Sequence, residues 1–109
     1  MNPLPSSPVR AAVVGCGGIG RGAHLPALAA QGERVTVVAL VDLDPSLVEA
    51  TADRWNVPGR YTSLEAMLTA ESPDLVVVGT PPSDHNRAVS ASLDAGAWVW
   101  CEKPPALSL

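Results

Sequence analysis

Positive charge is scarce in this chain. Of 109 residues seven are Lys or Arg against eleven Asp or Glu, for a net charge of −4 and a pI near 4.9. The seven (Arg10, Arg21, Arg34, Arg54, Arg60, Arg87 and Lys103) are scattered along the chain. No basic stripe exists to neutralise a phosphate backbone, which argues against a nucleic-acid binder. Cysteine is equally sparse. Cys16 and Cys101 form no CxxC and no Cys/His cluster. Neither a metal site nor a disulfide framework is therefore expected, and a reducing cytoplasm is the expected compartment. No apolar run approaches the length of a membrane span. The opening MNPLPSSPVR carries three prolines and no hydrophobic segment. Residues 1–8 thus read as a flexible leader rather than a signal peptide.

What is present suits one compact domain. Hydrophobic residues make up 47% and charged residues 17%, which excludes disorder, and the length allows a single core. Val9 to Val14 is a short apolar run ending at a glycine and reads as a first strand. Helix-like spacing follows at Ile19, Ala23 and Leu28, broken near His24 by Pro26 and stopped by Gly32. Val35 to Val41 is almost uniformly apolar and β-branched, as in a parallel strand covered on both faces. Asp44-Pro45 is an N-cap followed by Pro at the first helical position, opening a helix to about Arg54. GRYT (residues 59–62) predicts a short third strand, and Ser63 caps a helix to about Ala70. Asp74 to Thr80 predicts the fourth strand, Asp84 to Ala95 a helix closed by Gly96, and WVWCE (98–102) the fifth strand. Alternating strands and helices at this spacing imply an α/β fold with a doubly wound parallel sheet. Right-handed crossovers give the strand order 3-2-1-4-5.

Gly15, Gly17 and Gly20 make G-x-G-x-x-G between the first strand and the first helix, with Cys16, Gly18 and Ile19 between them. The glycines permit the tight turn, close backbone approach to a pyrophosphate and close helix–strand packing. Asp42 stands at the end of the second strand, 22 residues after Gly20, where an acid accepts from an adenosine ribose. A carboxylate there favours the 2′-OH of NAD over the 2′-phosphate of NADP. The next residue is Leu43, not an Arg that would clamp a phosphate, and Asp44 reads as a plain helix cap. NAD is the expected cofactor and NADP the less expected one. Cys16 is a small space-filler near the dinucleotide, since no group is positioned to activate it.

Two further stretches narrow the reading: GTPPSDHNRAV from Gly79 and CEKP from Cys101. With HLPAL after the glycine loop, they resemble the N-terminal domain of the glucose–fructose oxidoreductase, inositol dehydrogenase and rhizopine-catabolism (Gfo/Idh/MocA) family, over Val9 to Pro104. The resemblance implies that Lys103 lies beside the nicotinamide, where it binds substrate or shuttles a proton. It implies that Glu102 and Pro104 fix the lysine, that Thr80 and Pro81 line the ribose and nicotinamide region, and that His85 begins the adjacent helix. An ammonium beside the positively charged nicotinamide is disfavoured, which lowers the lysine pKa toward a range useful for acid–base work. The implied reaction is hydride transfer between a nicotinamide cofactor and a secondary alcohol of a sugar, inositol or related polyol.

The resemblance also implies a two-domain plan, with residues 9–109 as the dinucleotide-binding domain and the substrate pocket in a C-terminal domain that these residues do not include. The isolated chain is then expected to be inactive, because hydride transfer needs both carbons held together with water excluded. A competing reading is a nonenzymatic dinucleotide sensor or pseudoenzyme, which has no use for Lys103. A reductase of the homoserine or dipicolinate type accounts for the glycine loop but not for CEKP. Trp98 and Trp100 share one face of the fifth strand. They either pack under a helix or form surface for a group outside these residues. The edge beside that strand is expected to expose backbone and apolar surface, giving self-association.

Overall fold

A computed structural model describes residues 8–15, 34–79 and 82–101. Its elements are β1 (Val9–Val14), β2 (Val35–Val41), α1 (Pro45–Trp55), β3 (Gly59–Tyr61), α2 (Leu64–Glu71), β4 (Leu75–Val78), α3 (Pro82–Asp94) and β5 (Trp98–Cys101). The strands form one sheet in the order β3-β2-β1-β4-β5, every neighbouring pair parallel. That is the predicted doubly wound architecture. No helix among the described residues is long and apolar enough to cross a membrane.

The apolar runs become strands because each alternates between two covered faces. On β1, Ala12 and Val14 join a cluster with Leu64, Met67 and Leu68 of α2 and Ala88 of α3. Val13 points the other way, into a cluster with Val48 and Ala52 of α1. Val76 and Val78 of β4 follow the first face and Val77 the second. Val99 of β5 packs on the first face. Trp98 and Trp100 therefore project from the second, and they stay 40% and 43% exposed.

Local chemistry ends the elements. Asp44 accepts from the amides of Ser46 and Leu47 at 3.0 and 3.3 Å, and Pro45 occupies the first turn of α1. Ser63 accepts from Ala66 N at 3.2 Å to open α2. The C-termini of α1 and α2 turn through left-handed residues, Asn56 (φ 56°) and Ser72 (φ 44°). The helix predicted from Asp84 begins at Pro82 instead, proline being well suited to a first helical position. The regular part of β4 is shorter than the predicted Asp74 to Thr80, although ladder bonds continue past it. Asp74 N donates to Arg10 O, and Gly79 N donates to Val14 O, both at 2.8 Å. Thr80 lies outside the described residues, as does the expected helix after the glycine loop.

One irregularity shapes the left half of the sheet. Ala11 pairs with Val37 and Ala12 with Ala39, so β2 carries one extra residue, Val38, opposite β1. Val38 and Ala39 consequently face the same cluster. Gly59 pairs with Ala39 at this point. A β-carbon on Gly59 would meet the Val38 carbonyl oxygen at 2.5 Å and Glu71 Oε2 at 2.8 Å. Gly59→Ala should therefore cost about 1–3 kcal/mol, the usual penalty for overpacking. A urea unfolding midpoint equal to that of the unmodified chain would contradict this packing.

Candidate functional site

Because all strands run the same way, their C-terminal ends meet at one edge, where open α/β sheets bind ligands. β1 lies between β2, reached by a crossover in one direction, and β4, reached in the other. Gly15 follows β1 at that switch point. Its φ of 97° suits glycine and strains other residues. Its amide donates to Val41 O at 2.8 Å, which pins the start of the glycine loop against the end of β2.

Asp42 is the next residue beyond that contact. Its amide donates to Tyr61 O at 3.2 Å, so the end of β3 sets its backbone. Its carboxylate Oδ1 accepts from Asp44 N at 3.0 Å, an Asx-type turn that orients the acid before any ligand arrives. Asp42 is half-buried. Leu43, between the two acids, is 83% exposed. Asp44 spends its own carboxylate on the α1 amides.

The structure thus brings together two of the predicted site residues, Gly15 and Asp42, on neighbouring strand ends. His85 lies in the first turn of α3, the helix that follows β4. Cys16, Gly17, Gly18, Ile19, Gly20, Thr80, Pro81, Glu102 and Lys103 lie outside the described residues. The segments that carry them leave the described chain at Gly15, Gly79 and Cys101, each just past or at the end of β1, β4 or β5. A fit to a dinucleotide is supported by the left-handed Gly15 and by the oriented acid next to it. Two contributors escaped the sequence reading: the Tyr61 carbonyl and the Asp44 amide, both of which position Asp42. The Asp-x-Asp-Pro spacing was the available signal for the second.

A sequence model described as an oxidoreductase family with an NAD-binding Rossmann fold matches residues 9–109. The chain belongs to the Gfo/Idh/MocA oxidoreductase family. The D-glucoside 3-dehydrogenase of Escherichia coli is 32% identical over 96% of the chain. A D-xylose 1-dehydrogenase (NADP(+)) of Haloferax volcanii is 35% identical over 84% of it. Among solved structures, the WlbA dehydrogenase of Bordetella pertussis, in complex with NADH and UDP-GlcNAcA, superposes on 89% of the chain with a TM-score of 0.82 and 31% identity. The chain spans about 30% of the length of the E. coli and B. pertussis proteins and 28% of the H. volcanii one. Gfo/Idh/MocA proteins are NAD(P)-dependent enzymes of alcohol groups, and this chain is their NAD(P)-binding Rossmann domain.

Asp42 is held indirectly by a second network. Tyr61 Oη donates to Glu71 Oε2 at 2.6 Å, and Arg10 Nη2 donates to Glu71 Oε1 at 3.2 Å. Arg10 Nη1 also donates to the Glu71 carbonyl. The hydrogen bond to Glu71 raises the Tyr61 pKa above its ordinary value, with burial adding to it. A raised pKa means that this contribution is fully present below the unfolded value of about 10 and is lost as pH rises through the folded value. Tyr61→Phe should lower stability by about 0.5–1.5 kcal/mol at neutral pH. The gap between the two proteins should close in strong alkali. Parallel stability curves from pH 7 to 11 would refute the Tyr61–Glu71 bond.

Proposed function

We propose that the chain is the cofactor-binding part of an NAD-preferring dehydrogenase that acts on a secondary alcohol of a sugar, inositol or related polyol. The observation that carries this reading is the pairing of left-handed Gly15 with the oriented Asp42 carboxylate at the switch point. Gly15, Gly17 and Gly20 would admit the pyrophosphate to the backbone, with Cys16, Gly18 and Ile19 completing the loop. Asp42, oriented by its bond from Asp44 N, accepts from the ribose 2′-OH. An ionised carboxylate has about four acceptor positions. On the family resemblance, Thr80 and Pro81 would line the ribose and nicotinamide region, with His85 in the helix beside it.

A bound nicotinamide supplies the hydride acceptor. The chain's own part in the chemistry falls to Lys103, whose amine takes up the proton of the substrate hydroxyl while Glu102 fixes its position. The support is the Glu-Lys-Pro stretch after β5 and the family match that runs through it. The chain spans about 30% of the length of the relatives it matches, and this reading has the remainder of the substrate cleft come from residues outside positions 9–109. A second copy associating along the β5 edge fits the half-exposed Trp98 and Trp100.

Calorimetric titration with NAD+, NADH and NADP+ tests the cofactor reading. NAD(H) should bind clearly more tightly than NADP+, and Asp42→Ala should weaken NAD+ about tenfold or more, a loss of about 1.4 kcal/mol. A well-folded chain that binds no dinucleotide would overturn the assignment. The 109 residues by themselves should show negligible polyol oxidation even with saturating NAD+, since they span about 30% of the length of the dehydrogenases they match and hydride transfer needs both carbons held together with water excluded. Turnover comparable to that of an intact dehydrogenase would mean that the chain holds its own substrate site.

A further inference from the structure

We infer that Glu71, the last residue of α2 and no member of the candidate site, is a positioning residue for cofactor binding: it holds β3, and β3 holds Asp42. This rests on the reading above, in which Asp42 meets the adenosine ribose. β3 stands at the edge of the sheet, three residues long, with β2 as its sheet neighbour. An element with so few ladder bonds opens at low free energy unless something else secures it. Yet its final carbonyl, Tyr61 O, accepts from Asp42 N at 3.2 Å. The backbone of the acid therefore depends on how firmly the end of β3 is held.

Glu71 supplies the second hold. Its Oε2 accepts from Tyr61 Oη at 2.6 Å. The same oxygen lies so close to Gly59 that a β-carbon there would meet it at 2.8 Å. One carboxylate oxygen thus sits against both ends of β3. The other, Oε1, accepts from Arg10 Nη2 at 3.2 Å, and Arg10 Nη1 donates to Glu71 O and, at 3.3 Å, to Ser72 O. Arg10 is itself fixed, its amide donating to Asp74 Oδ2 at 2.9 Å. The carboxylate is therefore anchored to β1 while it holds β3. As a source of stability this arrangement is poor. The Glu71 side chain is only 20% exposed, and the desolvation of a charge offsets most of what its partner returns, so that an apolar side chain of similar volume often serves as well. An apolar side chain cannot accept the Tyr61 hydroxyl, however, and so cannot fix where β3 ends.

The test is a double-mutant cycle on the full 109-residue chain, read by calorimetric titration with NAD+. Glu71→Leu removes the acceptor, Glu71→Gln keeps one, and Tyr61→Phe removes the donor with the least disturbance to packing. Circular dichroism melts establish which variants are folded at the titration temperature, and Tyr61→Phe carries the cycle if Glu71→Leu is not. Glu71→Leu and Tyr61→Phe should each weaken NAD+ about threefold, with Glu71→Gln within about 1.5-fold of the unmodified chain. Either change added to Asp42→Ala should cost nothing further, because the contact that Glu71 positions is already gone. Without any cofactor, Tyr61→Phe should speed hydrogen exchange at the Asp42 amide about fivefold or more relative to that of Val13, which is buried in β1. Losses that multiply in the double variants would mean that Glu71 acts on stability alone and would overturn the inference. Unchanged NAD+ affinity in the folded single variants, or unchanged exchange at Asp42, would do the same while leaving the cofactor reading intact. If the unmodified chain binds no NAD+, the cofactor reading fails and this inference fails with it.

Discussion

The hydrogen bonding of β1 on both of its edges is the constraint from which the rest follows. A strand with parallel partners on each side can be reached only by crossovers that leave in opposite directions, and helices must then cover both faces. Covering both faces needs side chains that tolerate complete burial. Ala11, Ala12 and Val13 accordingly have no exposed surface, and neither do Val76, Val77 and Val78 on β4. The same geometry brings every strand to an end at one edge. Residues far apart in sequence, such as Gly15 and Asp42, become neighbours through the ladder itself, Gly15 N donating to Val41 O.

From that edge a line of polar contacts runs back through the molecule. Asp42 hangs by its amide from Tyr61 O, Tyr61 is tied by its hydroxyl to Glu71, and Glu71 is gripped by Arg10 near the start of β1. Each bond by itself is modest, about 1 kcal/mol net. Their value lies in connecting β1, β3 and α2, so that the short three-residue β3 is tied to α2 as well as to β2. Asp44 does the equivalent work on the other side of Asp42. It donates its amide to Asp42 while its carboxylate begins α1.

Much of this was legible in the amino-acid order. Val35–Val41 announced a strand through almost uniformly apolar, mostly β-branched residues, and its bounds emerged unchanged. Asp44-Pro45 and Ser63 marked helix starts, because a side-chain acceptor ahead of a run without partners for its first amides has few other uses. The strand order followed from handedness. Asp42 was singled out by its distance from the glycine loop, and the structure puts it one residue past the end of β2, whose Val41 carbonyl accepts from Gly15 N. Other features left no signal. A start at Pro82 rather than Asp84 depends on how β4 releases the chain. The left-handed stops at Asn56 and Ser72 involve residues that are also common in ordinary turns. Trp98 and Trp100 could be assigned to one face by alternation, but which face is covered is a property of the whole sheet. The use of Glu71 by both Tyr61 and Arg10 joins residues 10 and 61 apart in sequence, and no local pattern encodes it.

The extra residue in β2 was hidden for a related reason: where both faces of a strand are apolar, inserting one position disturbs no pattern. Its effect is a change of parity. Val37 points into the α1 cluster, Val38 and Ala39 both point away from it, and Leu40 returns to it. In an uninterrupted strand from Val37, alternation would put Val41 on the α1 side and turn the following residue toward α2 and α3. With the bulge, Val41 faces α2 and α3, and Asp42 is turned toward the side of the sheet that α1 covers. An irregularity buried in the middle of the sheet thus acts as a half-turn of the strand, and it chooses the side on which the chain presents its acid.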